Sequence, residues 1–285
     1  MTIPAGTITV TGTVSLKNGV AIKGAGVDQT ILSMPNQTSA TALLLGSGVS
    51  GVSVSDMTLT SPAVSGYVLA LWLTNGYSNV DIERVKVTNC MYALKADTRG
   101  SNLIVRDFTA LACGQSYVSN LTGGLFERLD LEMLTTSWTS AFSTHALYLE
   151  GGNHGLTFNS VKARGGSGWT VQLYTETGPS DEIVFNGLDA TGYPVYVGID
   201  FSNVTIQNAV VVGKSGEGCF SLNYCDHVTI DGFTASGGDS LVKAEYGAPS
   251  NVTLRNGTYQ GSRMVTGTIT NLVTQNVSFG STPTT

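Results

Sequence analysis

Residues 78–87 read Ser-Asn-Val-Asp-Ile-Glu-Arg-Val-Lys-Val, a ten-residue pattern with a polar start and apolar residues at positions three, five, eight and ten. The apolar positions alternate, which is the spacing of a β-strand with one buried face. From Ser50 onward the copies of this pattern start mostly 20 to 28 residues apart. The other copies begin at Asn18, Ser50, Ser101, Thr122, His154, Asp181, Ser202, Asp226, Ser250 and Thr270.

Eleven repeats of this length indicate a solenoid, because a unit this short cannot bury its apolar face alone. One strand per unit, always in the same chain direction, predicts stacked parallel strands. The sequence therefore predicts an all-β fold, a single-stranded right-handed parallel β-helix of about eleven coils, with residues 1–285 as one domain. Residues 1–17 are expected to form an incomplete first coil, 135–144 an inserted loop and 280–285 a tail. The seventh decad position, often Asn, Gly or Asp, is predicted to be a corner between two strands.

The composition agrees with a solenoid and narrows the range of partners. Only 12% of the residues are Asp, Glu, Lys or Arg, about half the usual share, and the formal net charge is −6. Low charge suits stacked coils, in which like charges would lie above one another and repel. Because the sequence has no basic run, we expect it to bind neither nucleic acid nor an anionic membrane. The sequence contains no apolar run of about twenty residues, and its first residues lack the pattern of a signal peptide.

A second apolar strand follows the decad in most units, and its outward residues are predicted to form two columns. Because parallel strands lie about 4.8 Å apart, these columns would make a continuous stripe along the outside of the solenoid. The first column is expected to hold Trp72, Lys95, Tyr148, Tyr174, Tyr196, Ser221 and Lys243. The second is expected to hold Thr74, Asp97, Glu150, Glu176, Gly198, Asn223 and Glu245.

An aromatic column beside an acidic column suits an extended sugar chain. Tyr and Trp rings cover the apolar face of a sugar, and carboxylates accept hydrogen bonds from its hydroxyls. The inserted loop carries Trp138 and Phe142, and Trp169 precedes the next coil, so these aromatic residues are expected to wall the stripe, with ordinary loop packing as the alternative. The alternative, that outward aromatics only pair across strands, stays open. The predicted polysaccharide-binding residues are Trp72, Lys95, Asp97, Trp138, Tyr148, Trp169, Tyr174, Tyr196, Asn223, Lys243 and Glu245.

Glu150, Glu176 and Asp200 are the predicted catalytic acids. Glu150 and Glu176 are expected to be neighbours about 5 Å apart, the carboxyl separation of a retaining glycosidase. Glu176 and Asp200 would suit the wider separation of an inverting enzyme. An acidic face that only binds sugar stays an alternative. No cofactor and no metal ligands are assigned, although the same carboxylates offer calcium an alternative site. A lyase would need a base, for which Lys95 or Arg99 is the nearby residue.

The opening sequence carries a family resemblance. Ile-Pro-Ala-Gly at 3–6, Gly-Val-Ala-Ile-Lys-Gly-Ala-Gly at 19–26 and Thr-Ile-Leu at 30–32 resemble the first coils of the pectate-lyase-like superfamily, which includes phage tailspike depolymerases. The resemblance implies the right-handed β-helix fold, a polysaccharide partner, a virion or extracellular location and, for tailspike relatives, a homotrimer. The sequence lacks the Gly-His-Gly motif of polygalacturonases, the Asp-Pro-His-Glu motif of mannuronan epimerases and the Arg-x-Pro-x-x-Arg motif of pectate lyases.

Three functional hypotheses follow. The first is a tailspike-like virion protein that binds a surface polysaccharide; whether it also cleaves that polysaccharide stays open. The second is a secreted bacterial polysaccharide lyase or hydrolase. The third is a non-catalytic adhesin or structural solenoid.

Overall fold

The computed structural model describes residues 1–64, 66–139, 142–175 and 178–280. This described part of the chain contains 26 β-strands and no helix, which confirms the prediction of an all-β fold. The strands are β1 Gly6–Thr9, β2 Val14–Ser15, β3 Ala21–Lys23, β4 Thr30–Ser33, β5 Thr41–Ser47, β6 Ser50–Thr60, β7 Val68–Thr74, β8 Ser78–Thr88, β9 Tyr92–Ala96, β10 Gly100–Cys113, β11 Gln115–Val118, β12 Leu121–Met133, β13 His145–Leu149, β14 His154–Arg164, β15 Val171–Leu173, β16 Ser180–Thr191, β17 Val195–Val197, β18 Phe201–Gln207, β19 Val210–Val212, β20 Gly218–Leu222, β21 Asp226–Asp231, β22 Thr234–Ser236, β23 Ser240–Ala244, β24 Ser250–Gln260, β25 Val265–Gly267 and β26 Thr270–Phe279.

The strands form two sheets that run along the solenoid. The larger sheet has 15 strands and follows the decads through β4, β6, β8, β10, β12, β14, β16, β18, β21 and β24. The smaller sheet has 11 strands in the order β2, β5, β7, β9, β11, β13, β15, β17, β20, β23 and β25. Within the described ranges every pairing between named strands is parallel, so successive turns of the chain stack as coils. The fold is the predicted right-handed parallel β-helix of about eleven coils.

The alternation of the decad produces the buried face of the larger sheet. In β8 the residues at positions three, five, eight and ten are Val80, Ile82, Val85 and Val87, and each is at most 1% exposed. The pattern skips two positions in its middle, and the backbone has to turn there to keep both apolar pairs inside the coil.

The seventh decad position is the corner that makes this turn, as predicted. Its backbone is left-handed in ten successive units, with φ between 49° and 80°. In two units the turn separates two strands, β18 from β19 and β21 from β22. Ion pairs between neighbouring coils hold two arginines at this corner, with Nε of Arg84 2.6 Å from Oδ1 of Asp56 and Nε of Arg128 2.6 Å from Oδ1 of Asp107. The ten corner residues are Asp56, Arg84, Asp107, Arg128, Ser160, Gly187, Asn208, Gly232, Asn256 and Asn276.

One apolar core fills the solenoid from Leu16 to Tyr259. Its middle contains a ladder of three phenylalanines, Phe126, Phe158 and Phe185, at the fifth position of consecutive decads. The ring centroids are 4.5 and 4.6 Å apart, and the ring planes differ by 10° and 12°. This stacking follows from the rung spacing of about 4.8 Å in a parallel sheet. The assignment of residues 1–285 to a single domain stays a prediction.

The inserted loop lies between β12 and β13. Thr139 and Phe142 form an isolated antiparallel bridge, and the backbone N–H of Trp138 donates to the carbonyl of Phe142 at 3.0 Å. Beyond Gly280, the predicted tail lies outside the described residues. In the part of the chain that the structure describes, no helix has the length and apolar character needed to cross a membrane.

Candidate functional site

The smaller sheet sets the outward residues of successive coils side by side. Backbone pairing confirms that neighbouring coils contribute one residue each to a continuous column. In coil order this column contains Trp72, Lys95, Tyr117, Tyr148, Gln172, Tyr196, Ser221 and Lys243.

The prediction that Tyr174 belongs to this column is wrong. Leu149 pairs with Leu173, and Gln172 therefore takes the column position. Tyr174 lies two residues further on, at the place in the second column where Glu176 was predicted, and Glu176 itself lies outside the described residues. The sequence permits either Gln172 or Tyr174 as the partner of Tyr148, because residues 171–173 and 173–175 both fit a strand with inward and outward side chains in alternation. A shift of two residues keeps every side chain on the same face of the sheet.

Tyr117 is a member of the column that the sequence analysis missed. The strand that carries it reads only Gln-Ser-Tyr-Val and ends without an acidic residue, unlike its neighbours. A positional signal was nevertheless present. Lys95 lies 17 residues after the decad start at Ser78, and Tyr117 lies 16 residues after the decad start at Ser101.

A cleft of about 440 Å³ lies at the middle of the stripe, beside the inserted loop. Its aromatic rings meet edge to face, with centroids 6.1 Å apart for Tyr92 and Tyr117, 5.4 Å for Tyr117 and Tyr148 and 5.4 Å for Tyr92 and Phe142. Such contacts fix the orientation of each ring. We call this site the Tyr–Glu cleft; it is lined by Tyr92, Lys95, Gln115, Tyr117, Phe142, Ser143, His145, Tyr148 and Glu150.

Glu150 supplies the carboxylate of the cleft. The phenol of Tyr117 donates a hydrogen bond to its Oε2. Burial and this hydrogen bond raise the pKa of Tyr117 above its ordinary value, so the phenol stays protonated at neutral pH. Behind Glu150, the fully buried Asn153 accepts the N–H of Leu121 at 3.2 Å and donates to the backbone carbonyl of Glu150. Tyr117 therefore holds the carboxylate of Glu150, and Asn153 holds its backbone.

Lys95 is the cation at the edge of the cleft. Its Nζ lies 4.8 Å from the ring centroid of Trp72, 5.5 Å from that of Tyr92 and 5.9 Å from that of Tyr117. It also lies 3.1 Å from Oδ2 of Asp97, which accepts from Nε1 of Trp72 at 3.3 Å. Burial raises the pKa of Asp97, but hydrogen bonds from Thr74, Lys95 and Trp72 together lower it below its ordinary value. The charge of Lys95 is consequently balanced inside the protein.

His145 lies at the base of the cleft and is 7% exposed. Its Nδ1 is 2.9 Å from the carbonyl oxygen of Trp169, so Nδ1 carries the hydrogen. Burial lowers the pKa of His145, and the ring is therefore neutral at pH 7. Its centroid is 5.4 Å from that of Tyr148. His145 thus supports the tyrosine and the Trp169 segment from below.

The two tryptophans predicted as walls occupy different environments. Trp138 is 8% exposed, and its Nε1 donates to the carbonyl of Gly66 at 3.2 Å. It therefore anchors the inserted loop on an earlier coil, whereas Phe142, the other aromatic residue expected to wall the stripe from this loop, lines the cleft. Trp169 lies over Tyr196, with centroids 4.9 Å apart and planes 23° apart.

The C-terminal half of the stripe is less open than the sequence predicts. Tyr196 is 6% exposed, and Asn223 is fully buried. The side-chain oxygen of Asn223 accepts the backbone N–H groups of Glu245 at 2.9 Å and Tyr246 at 2.8 Å. Lys243 pairs with Glu245, with Nζ and Oε2 3.0 Å apart. Tyr196 and Asn223 therefore support the surface from inside, although both were predicted to contact ligand.

The structure puts Glu150, of the three predicted acids, in the cleft. Asp200 is exposed at the corner between β17 and β18, two coils beyond Glu150 and about 10 Å away along the axis. Glu176 lies outside the described residues, so the predicted Glu150–Glu176 separation stays a prediction. Across the described ranges, no group of three or more His, Cys, Asp or Glu side chains is close enough together to hold a metal ion.

Comparisons with known proteins identify the fold. No family model and no curated protein matches the sequence. The A-modules of two mannuronan C-5 epimerases from Azotobacter vinelandii are each 18% identical to the chain. The first match covers 100% of this chain and 91% of the module, with a TM-score of 0.69. The second covers 98% of this chain and 86% of the module, with a TM-score of 0.70. ORF18 of Geobacillus virus E2 is 13% identical, with 98% of this chain and 53% of that chain covered at TM-score 0.59. These likenesses confirm the right-handed β-helix fold that the opening sequence predicts.

Proposed function

We propose that this chain binds an extended, neutral polysaccharide in the Tyr–Glu cleft. The observation that carries the proposal is the set of fixed tyrosine rings beside a hydrogen-bonded carboxylate. The ring faces cover the apolar face of a sugar, while Glu150 and the phenol groups bind its hydroxyls. Concave sites with aromatic walls and a few placed polar groups are typical of ligand binding.

The charge of the cleft favours a neutral sugar chain. The ammonium group of Lys95 is balanced by Asp97 at 3.1 Å, and Glu150 adds a further carboxylate. A polyuronate would bring its own carboxylates to this negative site and to a chain whose net charge is −6. A neutral polysaccharide avoids this repulsion, and its hydroxyls both donate and accept hydrogen bonds.

We assign this binding to a tailspike-like protein that recognises a bacterial surface polysaccharide. The support is the opening sequence at 3–32, together with the fold shared with a protein of Geobacillus virus E2. The assignment includes a virion location and a homotrimer, and analytical ultracentrifugation of the purified chain measures the latter. A secreted enzyme or an adhesin would bind through the same cleft.

Cleavage of the bound chain is a second candidate function, and the position of Glu150 favours it. A carboxylate that accepts a hydrogen bond from Tyr117 within an aromatic cleft has the setting of a glycosidase acid or base. A glycosidase needs a second carboxyl group across the scissile bond, and Asp200 lies two coils away. Binding is therefore the function that we put first.

The test is calorimetric titration with neutral glucans and galactans, with alginate and polygalacturonate, and with bacterial capsular polysaccharides. Glu150→Gln and Tyr148→Ala should each weaken binding of the neutral ligand about tenfold, through the loss of a charge-assisted hydrogen bond and of a ring face. The matched controls are Glu132→Gln, on the exposed face of β12, and Tyr193→Ala, whose ring packs on Lys214 outside the cleft. Both controls should bind as the wild type does.

Two results would contradict the proposal: a preference for polyuronates, or unchanged affinity in both cleft variants. The same samples report cleavage through new reducing ends, and unsaturated ends would be seen by ultraviolet absorbance. Cleavage that disappears in Glu150→Gln would establish a hydrolase. Unsaturated products would instead indicate a lyase, with Lys95 as the first base to replace.

A further inference from the structure

Tyr224 and Tyr246 form an exposed aromatic pair at the C-terminal end of the stripe. They are 58% and 60% exposed, the highest values for aromatic side chains among the described residues. Ser221 pairs with Lys243, so the two tyrosines occupy equivalent positions on adjacent coils. Both come one residue after the second column of the stripe. Neither belongs to the Tyr–Glu cleft.

The backbone of Tyr224 is unusual for a tyrosine, because its φ is 54°. Bulky residues rarely adopt this left-handed conformation, and where they do the strain often marks a functional position. The same corner on earlier coils is occupied by Gly48, Asn75 and Asn120, with φ of 61°, 57° and 50°, and by Thr98 at 60°. Gly and Asn tolerate the conformation, so a tyrosine here is retained against the local preference of the backbone.

The ring of Tyr224 and the backbone turn of Tyr246 are each supported by the protein. A Cβ added to Gly247 would lie 2.2 Å from Cζ of Tyr224, so this ring rests directly on the glycine backbone. The backbone N–H of Tyr246 donates to the buried side chain of Asn223 at 2.8 Å, which fixes the turn that carries the second ring. The Tyr224 ring and the backbone that carries the Tyr246 ring are therefore fixed before binding, which lowers the cost of ordering them.

We propose that Tyr224 and Tyr246 form a second sugar-binding subsite, the tyrosine platform, for the same neutral polysaccharide. The inference rests on the proposed function of the cleft. Strands β20 and β23 lie three and four rungs beyond β13, which puts the platform about 14 to 19 Å along the axis from the rung of Glu150. Two coils lie between, and Tyr174 and Trp169 belong to the first of them, that of β15. A sugar chain seated in the cleft continues over them to the platform.

The platform raises the affinity only for ligands long enough to contact both the cleft and the platform. Each exposed ring covers one apolar sugar face and leaves its hydroxyl edge in water. Because the cleft already holds the chain, the second contact forms within one complex and at high effective concentration. A polymer therefore uses both sites, whereas a short oligosaccharide seated in the cleft does not reach the platform.

The test compares the neutral glucans and galactans, each as a polymer and as its disaccharide, which is too short to reach the platform from the cleft, by calorimetric titration. Tyr224→Asn places a residue suited to the left-handed corner, and Tyr246→Ala removes the second ring. The double variant should lose about tenfold in polymer affinity and bind the disaccharide as the wild type does. Tyr224→Phe and Tyr246→Phe keep both rings and should retain most of the polymer affinity.

Each alternative outcome separates the two proposals. Unchanged polymer affinity in the double variant overturns the platform and leaves the cleft standing. Polymer binding that is lost in the platform variants but kept in Glu150→Gln and Tyr148→Ala overturns the cleft and supports the platform. A wild-type protein that binds none of the polymers overturns both. Tyr224→Asn should melt close to the wild type; a large fall would identify the ring as a packing residue and count against the platform, and Tyr246→Ala then tests the second ring alone.

Discussion

The phenylalanine ladder in the core allows a stability prediction with a worked magnitude. Phe158 is 0% exposed and stacks on Phe126 at 4.5 Å and on Phe185 at 4.6 Å. A buried Phe→Ala change costs about 3–5 kcal/mol, and each stacked pair adds about 0.5–1.5 kcal/mol. Phe158→Ala removes both pairs of the ladder, whereas Phe126→Ala or Phe185→Ala removes one. We expect a cost of about 4–8 kcal/mol for the middle ring and about 1 kcal/mol less for either end.

Urea unfolding followed by circular dichroism measures these costs. Phe158→Leu is the matched control, because it keeps much of the apolar volume and removes only the ring; its cost should be about 1–2 kcal/mol. The slope of the free energy against urea has to be compared as well, since a solenoid can lose cooperativity when a middle repeat is weakened. Equal costs for the three alanine variants would refute the contribution of stacking, and a cost below about 2 kcal/mol for Phe158→Ala would refute close packing.

Two further predictions concern residues behind the cleft. Burial lowers the pKa of His145 from 6.5, so the unfolded chain takes up this proton first on acidification. Stability should therefore fall as the pH drops below about 6.5, by up to about 1.4 kcal/mol per pH unit, and His145→Gln should remove this part of the profile; an identical profile would exclude the histidine as its source. Asn153→Ala leaves buried backbone groups unpaired and should cost about 2–4 kcal/mol in urea unfolding and weaken sugar binding next to Glu150. Asn159→Ala, on the outer face of β14, should cost little, and equal losses in both variants would contradict the special role of Asn153.

The fold was predictable because one pattern is repeated many times. Most decads place apolar residues at four fixed positions, and from β6 to β24 the structure buries these apolar residues in successive strands. The corner was predictable for the same reason, since Asn, Gly and Asp recur at the seventh position and tolerate left-handed backbone. Arg84, Arg128 and Ser160 have the same left-handed backbone, although their residue types do not predict it.

The site was predictable only in part, because contacts between distant coils leave no local signal. Tyr148, Glu150 and Lys95 were expected on the stripe, and the structure brings them together in one cleft. Trp138 was expected to wall the cleft, but its indole binds a carbonyl 72 residues away, at Gly66. Nothing in the loop sequence distinguishes a tryptophan that covers a ligand from one that covers another coil.

The arrangement of the second column bears directly on whether the stripe only binds a sugar chain or also cleaves it. The coil that carries Ser119 separates Asp97 from Glu150. On the coil after Glu150 the column position holds Tyr174, which is not an acid. Among the described rungs, no two carboxylates of this column are therefore direct neighbours, which avoids the repulsion of stacked like charges. A retaining glycosidase needs two carboxyl groups about 5–5.5 Å apart, close to one rung spacing. Within this column the described rungs offer single acids between aromatic and neutral residues, an order that suits a surface that holds a sugar chain along its length.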